Sequence, residues 1–128
     1  MKDKNATTLT LDLNQLETRA LALTWGLSSS RSKDGNGNVL LAWLSKCFER
    51  EYAIRTGKNT PDVNFPVQNT FDFEEYSLHD LRRAYAHFSC LSAAFEDNGK
   101  RSSSKFCNTI VACISNALDA HSGSAGHA

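Results

Sequence analysis

One stretch of the chain, Tyr76 to Asp97, specifies its own local structure more completely than any other part. Ser77 is a helix-capping residue type, and Asp80 stands three positions later, where an acidic side chain returns a bond to the cap. The large apolar residues inside the stretch recur at helical spacing and are Leu78, Leu81, Tyr85, Phe88 and Phe95. We therefore predict a long helix that buries one apolar face, and we expect the other helices to pack around it.

A first helix is predicted upstream by a similar combination of cap and periodicity. Asp12 and Gln15 form a capping box, and Gly26 together with the polar segment 28–37 ends the helix. The apolar positions after the cap alternate in steps of three and four: Leu13, Leu16, Ala20, Leu23 and Leu27. This alternation indicates a face that packs against neighbouring helices.

Two more helices, the second and the fourth in chain order, are predicted to be apolar around much of their circumference. The second spans Val39–Thr56, between the cap Asn38 and the terminator Gly57. The fourth runs from a serine cap after Gly99 to about Ala120. Four helices seldom need this much apolar surface internally. We therefore expect part of it to face a second copy of the chain or another protein.

The segment between the second and third helices, residues 58–75, is the irregular part of the chain. Pro61 and Pro66 prevent a continuous helix, and we expect the apolar residues there to fold back onto the helices as a loop. Both chain ends, residues 1–8 and 121–128, are polar and predicted to be flexible. The predicted fold is a single all-α domain, a bundle of four main helices with a long Pro-containing loop.

Charge and composition narrow the choice of compartment and partner. Lys plus Arg and Asp plus Glu number 14 each, so the basic excess of a general polyanion binder is missing. The N-terminus lacks the apolar core of a signal peptide, and no apolar run reaches membrane-spanning length. All four cysteines stand among apolar helix positions and are expected to be buried free thiols: Cys47, Cys90, Cys107 and Cys113. We therefore expect a cytoplasmic protein that does not contact membranes.

The most specific motif lies on the third helix, where four residues separate Arg82 from His87. This pair resembles the Arg and His element of HEPN ribonucleases, which are small, all-helical and often dimeric domains that cleave RNA without a metal ion. The resemblance covers about eight residues. It implies that His87 moves the 2′-hydroxyl proton while Arg82 stabilises the charged transition state. In that family a polar residue such as Asn often follows the Arg, whereas Arg83 follows it in this chain.

Five basic residues suggest a second kind of site, a weak surface for nucleic acid. They lie on the third helix and around the turn that follows it: Arg82, Arg83, Lys100, Arg101 and Lys105. Nearby serine and asparagine side chains are able to contact phosphates. The apolar fourth helix argues against a helix-turn-helix, because the second helix of that motif needs polar residues that read bases. A solvated basic edge is the simpler interpretation of these charges.

Metal binding and thiol chemistry find little support in the residue spacing. His87 and Cys90 share a helix face, but His79 lies two turns earlier, and no further Cys or His pair has metal-ligand spacing. A nucleophilic Cys–His pair needs a cation or a helix N-terminus to activate the thiol, whereas Cys90 is expected in mid-helix among apolar neighbours. We therefore expect neither a metal nor a cofactor.

Three hypotheses about function are consistent with these patterns. The first is a non-enzymatic helical interaction protein, a subunit or regulator of a larger protein or nucleoprotein assembly that binds a protein partner or itself. It rests on the neutral charge, the apolar helix faces and the absence of a catalytic constellation. The second is a HEPN-like ribonuclease that uses Arg82 and His87. The third is a small nucleic-acid-binding subunit that uses the basic edge.

Overall fold

A computed structural model of the protein describes residues 6–35, 37–57 and 69–126, with the backbone alone for residues 122–126. The described part contains four helices: α1 (Thr18–Ser32), α2 (Val39–Thr56), α3 (Leu78–Asp97) and α4 (Arg101–Gly126). It also contains two short strands, β1 (Thr8–Thr10) and β2 (Thr70–Asp72), and two 3-10 turns, Leu13–Gln15 and Phe73–Glu75. The part of the chain that the structure describes is mainly helical, with four helices and little strand, which confirms the predicted all-α class.

The four helices form two hairpins, because short turns join α1 to α2 and α3 to α4. Each helix packs most extensively against its partner across the turn, and α2 contacts α3 to join the hairpins. Phe48 of α2 and Phe106 of α4 meet edge to face, with their ring centroids 6.1 Å apart. The core contains many fully buried apolar side chains, among them Leu21, Leu44, Phe48, Phe88 and Ile110.

Helix α3 has the cap and the length that the sequence predicts. The Ser77 Oγ accepts a hydrogen bond from the Asp80 N–H at 3.1 Å. Three members of the predicted apolar stripe are buried: Leu81, Phe88 and Phe95. Leu78 and Tyr85 remain 37% and 39% exposed because they lie at the margin of the buried face. The buried face is therefore shifted around the helix from the predicted stripe, toward Ala84, His87 and Leu91.

The N-termini of α2 and α3 are joined by two hydrogen bonds that Asp80 accepts, one from the Asn38 side chain and one from the Val39 N–H. Asn38 caps α2 as predicted, because its Oδ1 accepts from the Leu41 N–H at 2.9 Å. The Asn38 Nδ2 donates to the Asp80 carbonyl at 3.1 Å, and the Asp80 carboxylate accepts from the Val39 N–H at 3.1 Å. Asp80 thus satisfies a free backbone donor of α2 and lies at the positive end of that helix's dipole. We call these contacts the Asn38–Asp80 junction.

A short antiparallel ribbon ties the N-terminal segment to the chain that precedes α3. Leu9 of β1 pairs with Phe71 of β2. Phe71 and Phe73 are fully buried, and their rings stack at 6.2 Å between centroids. For residues 58–75 we expected a loop without strands. The structure adds β2 at the end of this segment, whereas residues 58–68 lie outside the described part of the chain.

Helix α1 begins later than the sequence predicts. The Asp12 Oδ1 accepts a hydrogen bond from the Asn14 N–H at 3.2 Å, but this bond opens the first 3-10 turn, and α1 itself begins at Thr18. Arg55 of α2 donates to two carbonyl oxygens at this turn at 2.6 and 2.7 Å. The predicted capping box was wrong as the start of α1, because these tertiary hydrogen bonds take up the carbonyl oxygens that a helix would have used.

Helix α1 also continues beyond its predicted end. Gly26 lies inside the helix, which ends at Ser32. A glycine inside a helix costs about 1 kcal/mol relative to alanine, so Gly26 weakens α1 locally but does not end it. The reversal to α2 comes later, at Gly35 and Gly37, whose φ angles of +59° and +85° lie in the left-handed region that glycine adopts without strain.

Helix α4 is longer than predicted. It begins at Arg101, before the serines that were expected to cap it, and continues past Ala120 to Gly126. Its last residues belong to the segment that the sequence predicted to be flexible. In the described ranges of the chain, none of the helices combines the length and apolar character that crossing a lipid bilayer requires.

Part of the predicted N-terminal tail is anchored. The Asn116 side chain donates to the Ala6 carbonyl at 2.9 Å, and Thr8 lies in β1 opposite Asp72. Ordered contacts therefore begin before Leu9, while residues 1–5 lie outside the described part.

The Asn38–Asp80 junction gives a testable prediction about stability. Asp80→Ala leaves the Val39 N–H without its acceptor, so we expect the free energy of unfolding to fall by about 1–3 kcal/mol. Asp119→Ala, which removes an exposed carboxylate from α4, is the matched control and should change it by less than about 0.5 kcal/mol. Urea unfolding of both variants measures the difference. Equal losses in the two variants would contradict the structural importance of the junction.

Candidate functional site

The predicted pair Arg82 and His87 projects from two different sides of α3. Five residues turn an α-helix through about 140°, so the two side chains diverge. His87 is 8% exposed and faces α1, where its Nε2 lies 3.0 Å from the Ser28 Oγ. Arg82 is exposed. The two side chains do not project in neighbouring directions, because a separation of five residues exceeds one helical turn.

The environment of His87 lowers its basicity. Burial, and then the nearby positive charge of Arg31, lowers the pKa of the imidazole from 6.5 to about 4. The ring is therefore neutral at pH 7, with one nitrogen bonded to Ser28 and one face against the edge of Phe88. A base of this strength, held away from solvent, does not have the properties that general acid–base catalysis requires near neutral pH.

The ribonuclease hypothesis thus requires an arrangement that a single chain does not provide. Within one copy the Arg82 guanidinium and the His87 imidazole do not converge on a common point, and His87 would have to leave the α1–α3 contact to reach a substrate. In this structure His87 links two helices. Its catalytic role stays a prediction from the motif.

Arg82 instead belongs to a basic groove at the end of α1. An open groove of about 210 Å³ is lined by Arg31, Arg82 and Arg83, together with the apolar side chains of Leu41 and Ala86. All three arginines are exposed. Arg31 comes from α1, whereas Arg82 and Arg83 are neighbours on α3. Arg31 lies 51 and 52 positions before them in the chain. We call this feature the arginine groove.

The other three residues of the predicted basic edge lie at the far end of α3. Arg83 and Lys100 are separated by most of the length of that helix, which at 1.5 Å per residue is about 20 Å. Lys100 forms an ion pair with Glu17 at 2.7 Å, and Arg101 and Lys105 share their groove with Glu96. The five residues therefore form two separate clusters, and the cluster at the end of α3 is partly neutralised by carboxylates.

A second groove, with an apolar floor, lies between α1 and the C-terminal half of α3. Ala20, Leu23 and Phe95 line its apolar part, and Lys100 and Arg19 lie on its charged rim. Its volume is about 270 Å³. Leu27, one turn beyond Leu23, continues the apolar surface along α1. Leu23 and Leu27 are 49% and 42% exposed. We call the groove and these two leucines the α1 apolar surface.

The exposed apolar surface lies on a different helix from those that the sequence suggested. Leu23 and Leu27 were expected to pack inside the bundle, but of the predicted positions within α1 only Ala20 is buried, and the other buried residues of the helix are Leu21, Thr24 and Ser28. The surplus apolar surface was expected on α2 and α4. Most apolar residues of α2 are buried internally, and its exposed members Val39 and Ile54 lie at opposite ends of the helix. On α1, by contrast, Leu23 and Leu27 are two exposed large apolar side chains one helical turn apart.

The cysteines provide no activated thiol in the core. Burial raises the pKa of Cys47 and Cys107 to about 12, and it also raises the pKa of Cys113. Cys90 was expected to be buried but is exposed, because it lies on the outer face of α3. Among the described residues, no three His, Cys, Asp or Glu side chains come together in a metal-binding arrangement.

One residue of these sites, Ser28, was not recognised from the sequence. Ser28 was assigned to a loop, although its step of four from Thr24, which itself follows Ala20 by four, is a signal for a second helical stripe. Small side chains in such a stripe allow neighbouring helices to approach closely. Arg31 is visible in the sequence only as a basic residue of the polar segment 28–37, and its position beside Arg82 depends on the fold.

Neither a scan of protein-family models nor comparisons with curated proteins and with solved structures found a protein to which this chain is similar. Its function is therefore inferred from its own residues and contacts.

The contact between His87 and Ser28 predicts a pH dependence of stability. Because the His87 pKa is about 4 in the folded chain and near 6.5 when unfolded, the unfolded state binds more protons between these values. His87 should therefore destabilise the fold as the pH falls from about 6.5 to about 4, by up to about 3 kcal/mol. In the His87→Gln variant, this loss of stability at low pH should be absent.

Urea unfolding of both proteins across this pH range tests the prediction, and NMR titration of the imidazole measures the pKa directly. His121→Gln is the control, since it removes a histidine from the far end of α4. A His87 pKa of 6 or higher would contradict the buried contact with Ser28.

Proposed function

We propose that this protein is a non-enzymatic helical interaction protein, a subunit or regulator of a larger protein or nucleoprotein assembly. Its partner would dock on the α1 apolar surface. The observation that carries the proposal is the exposure of Leu23 and Leu27, two large apolar side chains one helical turn apart on α1. They continue a groove whose floor includes Phe95.

The composition of this surface resembles that of a protein–protein interface. Such interfaces combine an apolar centre with a polar rim, and a few anchor residues supply most of the binding free energy. Here the apolar centre consists of Ala20, Leu23 and Phe95, while charged side chains stand at the rim. Lys100 and Glu17, which line the same groove, form an exposed ion pair at its rim.

The remaining chemistry of the chain favours binding over catalysis. The buried thiols have raised pKa values, and the His87 imidazole is held away from solvent by its contact with Ser28. A partner that inserts an apolar side chain between α1 and α3 would need none of these groups. This supports a regulator or subunit over a ribonuclease.

Substitution of the two leucines tests the proposal. In Leu23→Gln/Leu27→Gln we expect partner affinity to fall by about 2 kcal/mol, or about thirtyfold, because two anchor side chains are lost. The fold should be retained, since both side chains are already exposed. Val39→Gln/Ile54→Gln, which alters two exposed apolar residues of α2, is the matched control and should bind as the wild type does.

The measurement combines quantitative affinity purification from the native cells with light scattering of the purified chain. We expect a partner, or a second copy, that the wild type and the α2 control retain and the α1 variant loses. A strict monomer at high micromolar concentration that captures no partner would contradict the proposal, and so would equal losses in the two variants.

A further inference from the structure

The arginine groove has a property that the proposed docking function does not use. Three guanidinium groups, from Arg31, Arg82 and Arg83, line one small opening. No carboxylate of the described residues lies within ion-pair distance of any of them. We propose that this groove binds the phosphate group of a phosphomonoester ligand.

The fold holds the arginines in position. The Arg83 guanidinium lies against the backbone at Gly35, where an added Cβ would stand 3.2 Å from its Nη1. Arg82 and Arg83 both project from α3, and Arg31 lies in the last turn of α1. Leu41 and Ala86 contribute the apolar part of the groove lining, against which the arginine stems can lie. The three cations thus belong to two helices that the Ser28–His87 contact holds together.

The local charge balance is positive. Asp80 lies near this end of α3, but its carboxylate accepts a hydrogen bond from the Val39 N–H in the Asn38–Asp80 junction. Asp34 is the one acidic residue of the α1–α2 turn, and Lys33 beside it carries the opposite charge. His87 is neutral at pH 7 and adds no charge. A ligand that enters the groove therefore meets guanidinium groups that have not yet been neutralised.

Guanidinium groups suit phosphate in particular. Each presents a planar fork of N–H donors that matches two oxygens of a phosphate or carboxylate, and arginine pays less desolvation than lysine when it does so. A phosphomonoester carries nearly two negative charges at pH 7 and three terminal oxygens. Three arginines supply enough donors for all of these oxygens, whereas a single carboxylate would leave at least one arginine without a partner.

The size and position of the groove favour a compact phosphate over a long polyanion. Its volume of about 210 Å³ is smaller than the range of about 300–1,000 Å³ typical of pockets for drug-sized ligands, and it suits a phosphate with a small part of its substituent. A nucleic-acid backbone that followed α3 from this groove would meet Glu96 and Asp97 at the far end. These two carboxylates, together with the zero net charge, oppose extended tracking of a polyanion.

The same phosphate chemistry is available from a small metabolite or from the end of a nucleic acid. The probes are AMP, adenosine as the control without phosphate, and RNA hexamers with and without a 5′-phosphate. Each is titrated into the full-length ¹⁵N-labelled chain at low ionic strength, and the arginine Nε–Hε and backbone resonances are followed.

We expect saturable shifts of the Arg31, Arg82 and Arg83 signals with AMP and none with adenosine. Tighter binding of the 5′-phosphorylated hexamer than of AMP would assign the phosphate to an RNA end, and the reverse order would assign it to a small molecule. Binding of the unphosphorylated hexamer at least as tightly as AMP would overturn the proposal, because it would indicate contact with the backbone instead of a terminal phosphate.

Two variants and a control connect the binding to the groove. Arg82→Gln and Arg83→Gln should each weaken AMP binding by about tenfold, and both should keep the wild-type circular dichroism because the side chains are exposed. Arg101→Gln makes the same charge change at the N-terminus of α4 and should leave the affinity within a factor of two. An equal loss in all three variants, or the absence of a saturable shift at millimolar AMP, would overturn the proposal.

Discussion

The two helical hairpins are joined most specifically by the Asn38–Asp80 junction. Asn38 ends the turn from α1 and begins α2, and Asp80 lies in the first turn of α3. Their hydrogen bonds fix where α2 begins relative to α3, and apolar packing alone would not fix this, because it is not directional. The positions of the two candidate surfaces depend on this placement of α2 relative to α3, because α1 packs mainly against α2.

Both candidate surfaces depend on how α1 lies beside α3. Near one end, the contact of Ser28 with His87 brings Arg31 toward the arginines of α3. Toward the other end, Ala20 meets Phe95 and leaves Leu23 at the surface. The proposed docking surface and the proposed anion site therefore share one pair of helices. A partner that moved α1 would alter both.

Local signals in the sequence predicted much of the fold but little of the sites. Ser77 and Asn38 cap helices through bonds to residues three positions away, so their roles are visible in sequence. Whether Leu23 is buried or exposed depends on tertiary packing, because the same spacing of residues fits two neighbouring faces of α1. Asp12 shows where local signals fail. Its side chain caps a 3-10 turn and not the start of α1, and Arg55 from α2 stabilises that turn.

Amide hydrogen exchange at Val39 tests most directly whether the junction holds the hairpins together. Val39 is the first residue of α2, and an N–H at that position has no partner within its own helix. If the Asp80 carboxylate binds it as described, this amide exchanges only when the domain opens, at a rate close to that of core amides such as Phe88. Exchange of Val39 at the rate of an unstructured peptide, while Phe88 stays protected, would contradict this account.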